Sequence, residues 1–142
     1  MLERGYDHEY LPSDGIPSFV DNAAHVALGK DSSMVNSNLY SGCQTISGSG
    51  AIRVFFDFMK KWYNNHRAKV FVPSPTWPTH KQIIRDAGWE HMEYRYYDPS
   101  TRKLDINGLL EDLDWAPKEQ IVLFHTCAHN PTGCDPTEEQ WK

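Results

Sequence analysis

Val70-Phe71-Val72, halted by Pro73-Ser74-Pro75 and followed by Thr76-Trp77-Pro78-Thr79-His80, is the stretch on which the fold turns. Three consecutive apolar residues without a polar alternate read as a strand buried on both faces, which is the mark of a parallel sheet. Downstream, His80 to Ala87 reads as a helix closed by Gly88. Met92 to Tyr97 follows as a strand ending in the turn signal Asp98-Pro99, then a helix from Ile106 to Leu113. Ile121 to Phe124 is a second all-apolar strand. Upstream, Ile52, Phe55, Phe56, Met59, Trp62 and Tyr63 recur at helical spacing, preceded by Ser47-Gly48-Ser49-Gly50 and a β-prone run from Tyr40 to Ile46. Before that, Ile16, Phe19, Val20, Ala23, Ala24 and Ala27 mark another helical face, with Gly29 at its expected stop. Strands alternating with helices predict an α/β fold: a mostly parallel sheet with helices on both faces.

Composition narrows the classes. The 142 residues carry a formal net charge of -5, which argues against a nucleic-acid partner, because that affinity comes from clustered Lys and Arg. No apolar run approaches the roughly 18 residues of a transmembrane helix, so no membrane partner is expected. Met1-Leu2-Glu3-Arg4-Gly5-Tyr6-Asp7 has no apolar core of a secretory leader. Cys43, Cys127 and Cys134 are an odd set and point to a reducing, cytoplasmic setting, with a mitochondrial form left open. At the far end, Thr137-Glu138-Glu139-Gln140 fits a capping box whose helix would have barely begun at Lys142. The chain is therefore expected to be a piece of a larger protein.

Three segments could carry chemistry. Ser47-Gly48-Ser49-Gly50, between a strand and a helix, gathers backbone N–H groups and hydroxyls at a helix N-terminus. It reads either as an anion cradle or as plain capping. Trp77 lies past the carboxyl end of the Val70 strand, where open α/β sheets bind ligands. It either stacks on a planar ring or packs over the sheet end. His125-Thr126-Cys127-Ala128-His129-Asn130-Pro131-Thr132-Gly133-Cys134 follows the last strand. Its His and Cys spacing matches no pair of zinc knuckles, so no metal is expected. Asn130-Pro131-Thr132-Gly133 instead reads as a rigid turn that presents an amide. If the three segments follow three strands they converge on one crevice, and a phosphorylated aromatic cofactor would suit all three.

These residues carry a family resemblance. Gln44-Thr45-Ile46-Ser47-Gly48-Ser49-Gly50-Ala51-Ile52-Arg53, Pro75-Thr76-Trp77, Tyr94-Arg95-Tyr96-Tyr97-Asp98-Pro99 and Cys127-Ala128-His129-Asn130-Pro131-Thr132-Gly133 resemble the aspartate aminotransferases, class I pyridoxal-phosphate (PLP) enzymes. So do Asp7-His8-Glu9-Tyr10-Leu11-Pro12 and Asp135-Pro136-Thr137-Glu138-Glu139-Gln140-Trp141. The resemblance covers nearly the whole chain in order. It implies that Ser47, Gly48 and Ser49 form the phosphate cup, that Trp77 stacks on the pyridine ring, and that Asn130 hydrogen-bonds the phenolic oxygen. It also implies that Tyr10 reaches the phosphate of a partner subunit in a homodimer, and that His80 and His125 stand near the ring. Pro78-Thr79 departs from the family's usual Gly-Asn, and proline fixes φ and removes a donor.

What the resemblance implies about function is the transfer of an amino group from L-aspartate to 2-oxoglutarate by a ping-pong route. The family's Schiff-base lysine, its aspartate at the pyridine nitrogen and its substrate arginines all lie beyond the positions matched here. Residues 1–142 are therefore expected to be a partial PLP-binding large domain, inactive alone and without a catalytic residue of its own. An aromatic aminotransferase of the same family, a non-catalytic PLP- or nucleotide-binding module and a zinc-binding interaction domain are the alternatives.

Overall fold

A computed structural model describes residues 8–142, so the Met1–Asp7 stretch read above for a leader lies outside the described residues. The chain divides into two compact units, Met1–Ala51 and Ile52–Lys142.

In the first unit, α1 (Pro17–Leu28) begins with proline at the first helical position, where its missing N–H is harmless. Gly29 ends it at φ 82°, donating to the His25 carbonyl. A four-residue helix, α2 (Ser33–Asn36), follows, with the Ser32 hydroxyl accepting from the Val35 N–H. Tyr40 to Ile46 is not a strand, contrary to expectation. β propensity is expressed only where a partner ladder exists, and this run is tied instead to the loop before α1. Gln44 donates its N–H to the Asp14 carbonyl at 2.7 Å and accepts the Ile16 N–H on Oε1 at 3.1 Å. Gly15, at φ 97°, lies so close to Gln44 that a Cβ there would collide with its side chain. Ser47-Gly48-Ser49-Gly50 is accordingly not a strand-to-helix loop: it is the first turn of α3 (Ser47–Trp62), which continues into the second unit.

The second unit is built on a three-stranded parallel sheet. β1 (Val70–Ser74) leads through α4 (Pro78–Asp86) to β2 (His91–Arg95). A small antiparallel hairpin of β3 (Tyr97–Asp98) and β4 (Lys103–Leu104) precedes α5 (Ile106–Trp115) and β5 (Ile121–Val122). The order is β2-β1-β5, with Val70 paired to both His91 and Ile121. The predicted Met92–Tyr97 strand is thus split, because Asp98 turns the chain into the hairpin by accepting from Ser100 and Thr101.

Period-two alternation along β1 distributes the core. Val70 and Val72, both fully buried, face Phe56 of α3, Ile83 and Ile84 of α4, and Trp89. Phe71 faces the other way, onto Tyr94, Tyr96 and Leu109 of α5. Each such side chain contributes roughly 1.5–3 kcal/mol by leaving water. The Trp89 indole N–H is satisfied by the Phe56 carbonyl at 3.0 Å. This is the predicted sheet with helices on both faces. Along α3 the inward stripe is the buried Phe56 with the partly buried Ile52 and Met59, continued by Tyr63 just past its end. Phe55 and Trp62, assigned to it from sequence, are 48% and 62% exposed. At 100° per residue they fall on the neighbouring flank.

The helix α4 stops as expected at Gly88, with φ 78°, and the Asp105 carboxylate caps the start of α5 by accepting from Gly108 N–H at 2.9 Å. Thr137 and Gln140 form the predicted capping box reciprocally: Thr137 N–H donates to Gln140 Oε1 at 2.9 Å, and Gln140 N–H donates to Thr137 Oγ1 at 3.3 Å. Among the described residues, no helix is long and apolar enough to cross a membrane.

Candidate functional site

Two connections leave the carboxyl ends of neighbouring parallel strands, and a cleft of about 320 Å³ lies between them. Trp77 comes from the β1–α4 connection, His80 from the first turn of α4, and Phe124, His125, Cys127 and Asn130 from the segment after β5. Pro78 sits at the first position of α4, where its geometry is favourable. The departure from the family's Gly-Asn is therefore absorbed by the helix start, and His80 N–H still donates to the Trp77 carbonyl at 3.0 Å.

The rings form a continuous column from the cleft lining to the buried His129 and Tyr96. Trp77 meets His80 edge-on at 5.1 Å, and His80 meets His125 edge-on at 5.0 Å. His125 leans on His129 at 4.3 Å, and His129 stacks on Tyr96 at 3.9 Å. Burial opposes charging these imidazoles. It lowers His80 and His129 to about 4, helped by their imidazole neighbours, and lowers His125 against the pull of Asp135. All three are neutral at pH 7.

Neutrality fixes the tautomers. The backbone N–H of Asn130 donates to His125 Nδ1 at 3.1 Å, so the His125 proton is on Nε2. That N–H donates to Thr76 Oγ1 at 3.2 Å, and the Thr76 hydroxyl donates in turn to His80 Nδ1 at 2.9 Å. His80 is left with its proton on Nε2, so the relay runs in one direction from the Asn130 backbone to a donor on a cleft-lining ring. His129 is 1% exposed and pairs through Nδ1 with Thr132 Oγ1 at 2.8 Å, while its Nε2 has no hydrogen-bond partner among the described residues. Tyr96 donates its hydroxyl to the Cys134 carbonyl at 2.7 Å, and burial raises it to about 12.

The turn that presents Asn130 is closed by Asp135. Its two carboxylate oxygens accept the Ala128 N–H at 2.7 Å and the His129 N–H at 2.8 Å. These backbone bonds hold the carboxyl below its ordinary range.

Of the six cofactor residues inferred from resemblance, the cleft brings together Trp77 and Asn130. Ser47, Gly48, Ser49 and Tyr10 belong to the first unit. Ser47 adopts φ 61°, a left-handed conformation uncommon for a non-glycine residue, and Gly48 has open space where a Cβ would stand. Tyr10 is fully exposed. Sequence reasoning missed Thr76 as a bridge and the partners of His129 and Asp135. Thr76 and His80 do stand four apart at a helix start, but nothing local signals His125 as the second partner of Thr76, whereas His129 and Asp135 find theirs within their own loop. Among the described residues, no cluster of His, Cys, Asp and Glu is arranged to hold a metal.

Comparison with known proteins shows the family. The family model for aminotransferase class I and II matches residues 1–142. A mitochondrial aspartate aminotransferase of Xenopus tropicalis is 44% identical over 142 residues, covering 100% of this chain and 33% of the relative. A cytoplasmic aspartate aminotransferase of Gallus gallus is 44% identical over 140 residues, covering 96% and 34%. Among solved structures, a mitochondrial aspartate aminotransferase from Trypanosoma brucei superposes with TM-score 0.91 at 39% identity, over 96% of this chain and 36% of that one. An aromatic-amino-acid aminotransferase from Burkholderia pseudomallei, itself covalently bound to pyridoxal phosphate, superposes with TM-score 0.93 at 34% identity, over 99% and 35%. The chain thus spans about a third of the length of the curated relatives it matches. With a parallel sheet, a cleft at its strand ends and a family match along its full length, this chain belongs to the class I and II aminotransferases.

Proposed function

We propose that this chain is the N-terminal part of the large PLP domain of an aspartate aminotransferase, which moves the amino group of L-aspartate to 2-oxoglutarate. The observation that carries the reading is the cleft itself: an aromatic plate and an amide donor on adjacent strand ends, over three neutral imidazoles.

The residues fit PLP. Trp77 is half-buried and offers a face for stacking, and the cleft admits a pyridine ring. The Asn130 amide, held by its backbone bond to His125, can donate to a phenolic oxygen. The first turn of α3, with the Ser47 and Ser49 hydroxyls and the room beside Gly48, suits a phosphate at a helix N-terminus. When bound, PLP supplies an electron sink for the substrate's α-carbon. The chain's own residues do the holding: Trp77 fixes the ring plane, Asn130 stabilises the deprotonated phenolic oxygen, and the neutral column adds no competing charge.

Tyr10, fully exposed, is free to serve the phosphate of a second subunit in a homodimer. The reading assigns the Schiff-base lysine to a part of the family fold outside these residues, so residues 1–142 alone are expected to lack turnover. Three unpaired cysteines favour the cytoplasm, with the mitochondrion as the alternative.

Titrating PLP into the full-length protein while following near-ultraviolet absorbance and tryptophan emission tests the cofactor. Comparing kcat/KM for aspartate with that for phenylalanine and tyrosine tests the substrate. Stoichiometric binding with aspartate preferred is expected; no binding at micromolar PLP would overturn the reading. The likeness to aromatic aminotransferases supports a second reading, which a preference for aromatic substrates would establish.

A further inference from the structure

The segment from His125 to Asp135 folds back on itself, and one acidic side chain closes it. Gly133 N–H reaches the His129 carbonyl at 2.7 Å, and Cys134 N–H reaches Thr132 Oγ1 at 3.2 Å. Within that loop Ala128 adopts φ 51°, a left-handed conformation that alanine has no side-chain means of supporting. The two successive N–H groups at Ala128 and His129 point the same way, and the two oxygens of Asp135 accept one each. Asp135 enters no ion pair among the described residues, so its carboxylate is committed to this nest of amides. Asn130 follows directly, and its own N–H is fixed to His125 Nδ1. The Asn130 backbone is thereby pinned on both sides: by Asp135 through His129, and by His125.

We propose that Asp135 is the positioning residue for Asn130, its carboxylate clamping the Ala128 and His129 amides so that the Asn130 side chain faces the cleft. The proposal rests on the reading of Asn130 as the donor to the cofactor's phenolic oxygen. Asp135 itself is not in the lining of the cleft. Two effects of removing it can be separated by sign. Loss of the clamp frees Asn130, weakens its donation to the deprotonated oxygen and makes that oxygen easier to protonate. Loss of a negative charge near His125 and His129, without movement of Asn130, makes protonation of the same oxygen harder.

The test uses the full-length holoenzyme and the pH midpoint at which bound PLP changes its absorbance. Asn130→Ala and Asp135→Ala are each expected to raise the midpoint, by about one pH unit, a tenfold change in proton affinity. Asp135→Asn, which keeps one acceptor oxygen, should give a smaller rise. The double variant Asn130→Ala/Asp135→Ala should lie no higher than Asn130→Ala alone, because only the charge effect remains. Amide hydrogen exchange across residues 125–135 should quicken in Asp135→Ala and not in Asn130→Ala. Should Asp135→Ala not fold, Asp135→Asn and its double variant carry the same comparison. A rise with Asn130→Ala but an unchanged or lowered midpoint with either Asp135 variant overturns the clamp and leaves the role of Asn130 standing. Additive shifts in the double variant also overturn it. No shift with Asn130→Ala overturns the cofactor reading, and the clamp's function with it.

Discussion

Thr76→Val replaces the hydroxyl that joins two histidines with a methyl group of the same shape, so it tests the relay without opening a cavity. Thr76 is 6% exposed and lies 2.9 Å from His80 Nδ1 and 3.2 Å from His125 Nε2. His125 is half-buried, and its freed N–H can turn to water, for a loss of about 1 kcal/mol. His80 is only 8% exposed, and its Nδ1 acceptor would be stranded, at about 1–3 kcal/mol. Together the variant should lose about 2–4 kcal/mol. Thr76→Ser keeps the hydroxyl and gives up a buried methyl, so it should lose about 1 kcal/mol. Urea denaturation of the full-length protein, with the slope unchanged between variants, measures both. Valine no worse than serine would refute the relay as a stabilising element and reopen the tautomer assignment.

The remaining predictions concern the cofactor face and pH. Trp77→Ala should weaken PLP retention, with the apparent Kd rising about tenfold, whereas Trp77→Phe keeps a flat face and stays within about threefold; equal losses in a dialysis assay would count against stacking. Phe56→Ala, at a side chain 1% exposed in the core, should destabilise by about 3–5 kcal/mol by urea melts, and less than half of that would argue against the α3 packing described. His80, His125 and His129 are harder to protonate folded than unfolded, so the unfolded chain takes up the extra protons. Stability should be complete above the ordinary value of 6.5 and fall as pH drops from there toward about 4. A melting temperature flat across that window would refute the neutral column.

The α/β architecture was legible because the apolar runs at Val70 and Ile121 are short, continuous and separated by helical patterns. The stops at Gly29 and Gly88 and the capping box at Thr137 and Gln140 are local chemistry, readable wherever they occur. What failed was non-local. Tyr40 to Ile46 has strand residues but no neighbouring ladder, and Phe55 and Trp62 have helical spacing but the wrong angular position. Trp77 and Asn130 were singled out through resemblance and strand-end logic, and both line the cleft. Thr76 was missed because its second partner, His125, is set by tertiary approach, and Asp135 because its bonds to Ala128 and His129 depend on how one loop folds back on itself.

The pairing of Val70 with both His91 and Ile121 bears on the order of assembly. The β1–β2 ladder closes through α4 alone, while the β1–β5 ladder must also span β2, the hairpin and α5. Each doubling of a loop adds about 0.6 kcal/mol of closure entropy, and distant pairings are the slow ones. The β1-α4-β2 unit can therefore nucleate early, with Trp77 and His80 already on it, whereas His125, His129 and Asn130 arrive only when β5 docks. Of the described strands, β5 is the one whose docking completes the cleft, so refolding should restore the contact of Thr76 with His125 only after the β1-α4-β2 unit has formed.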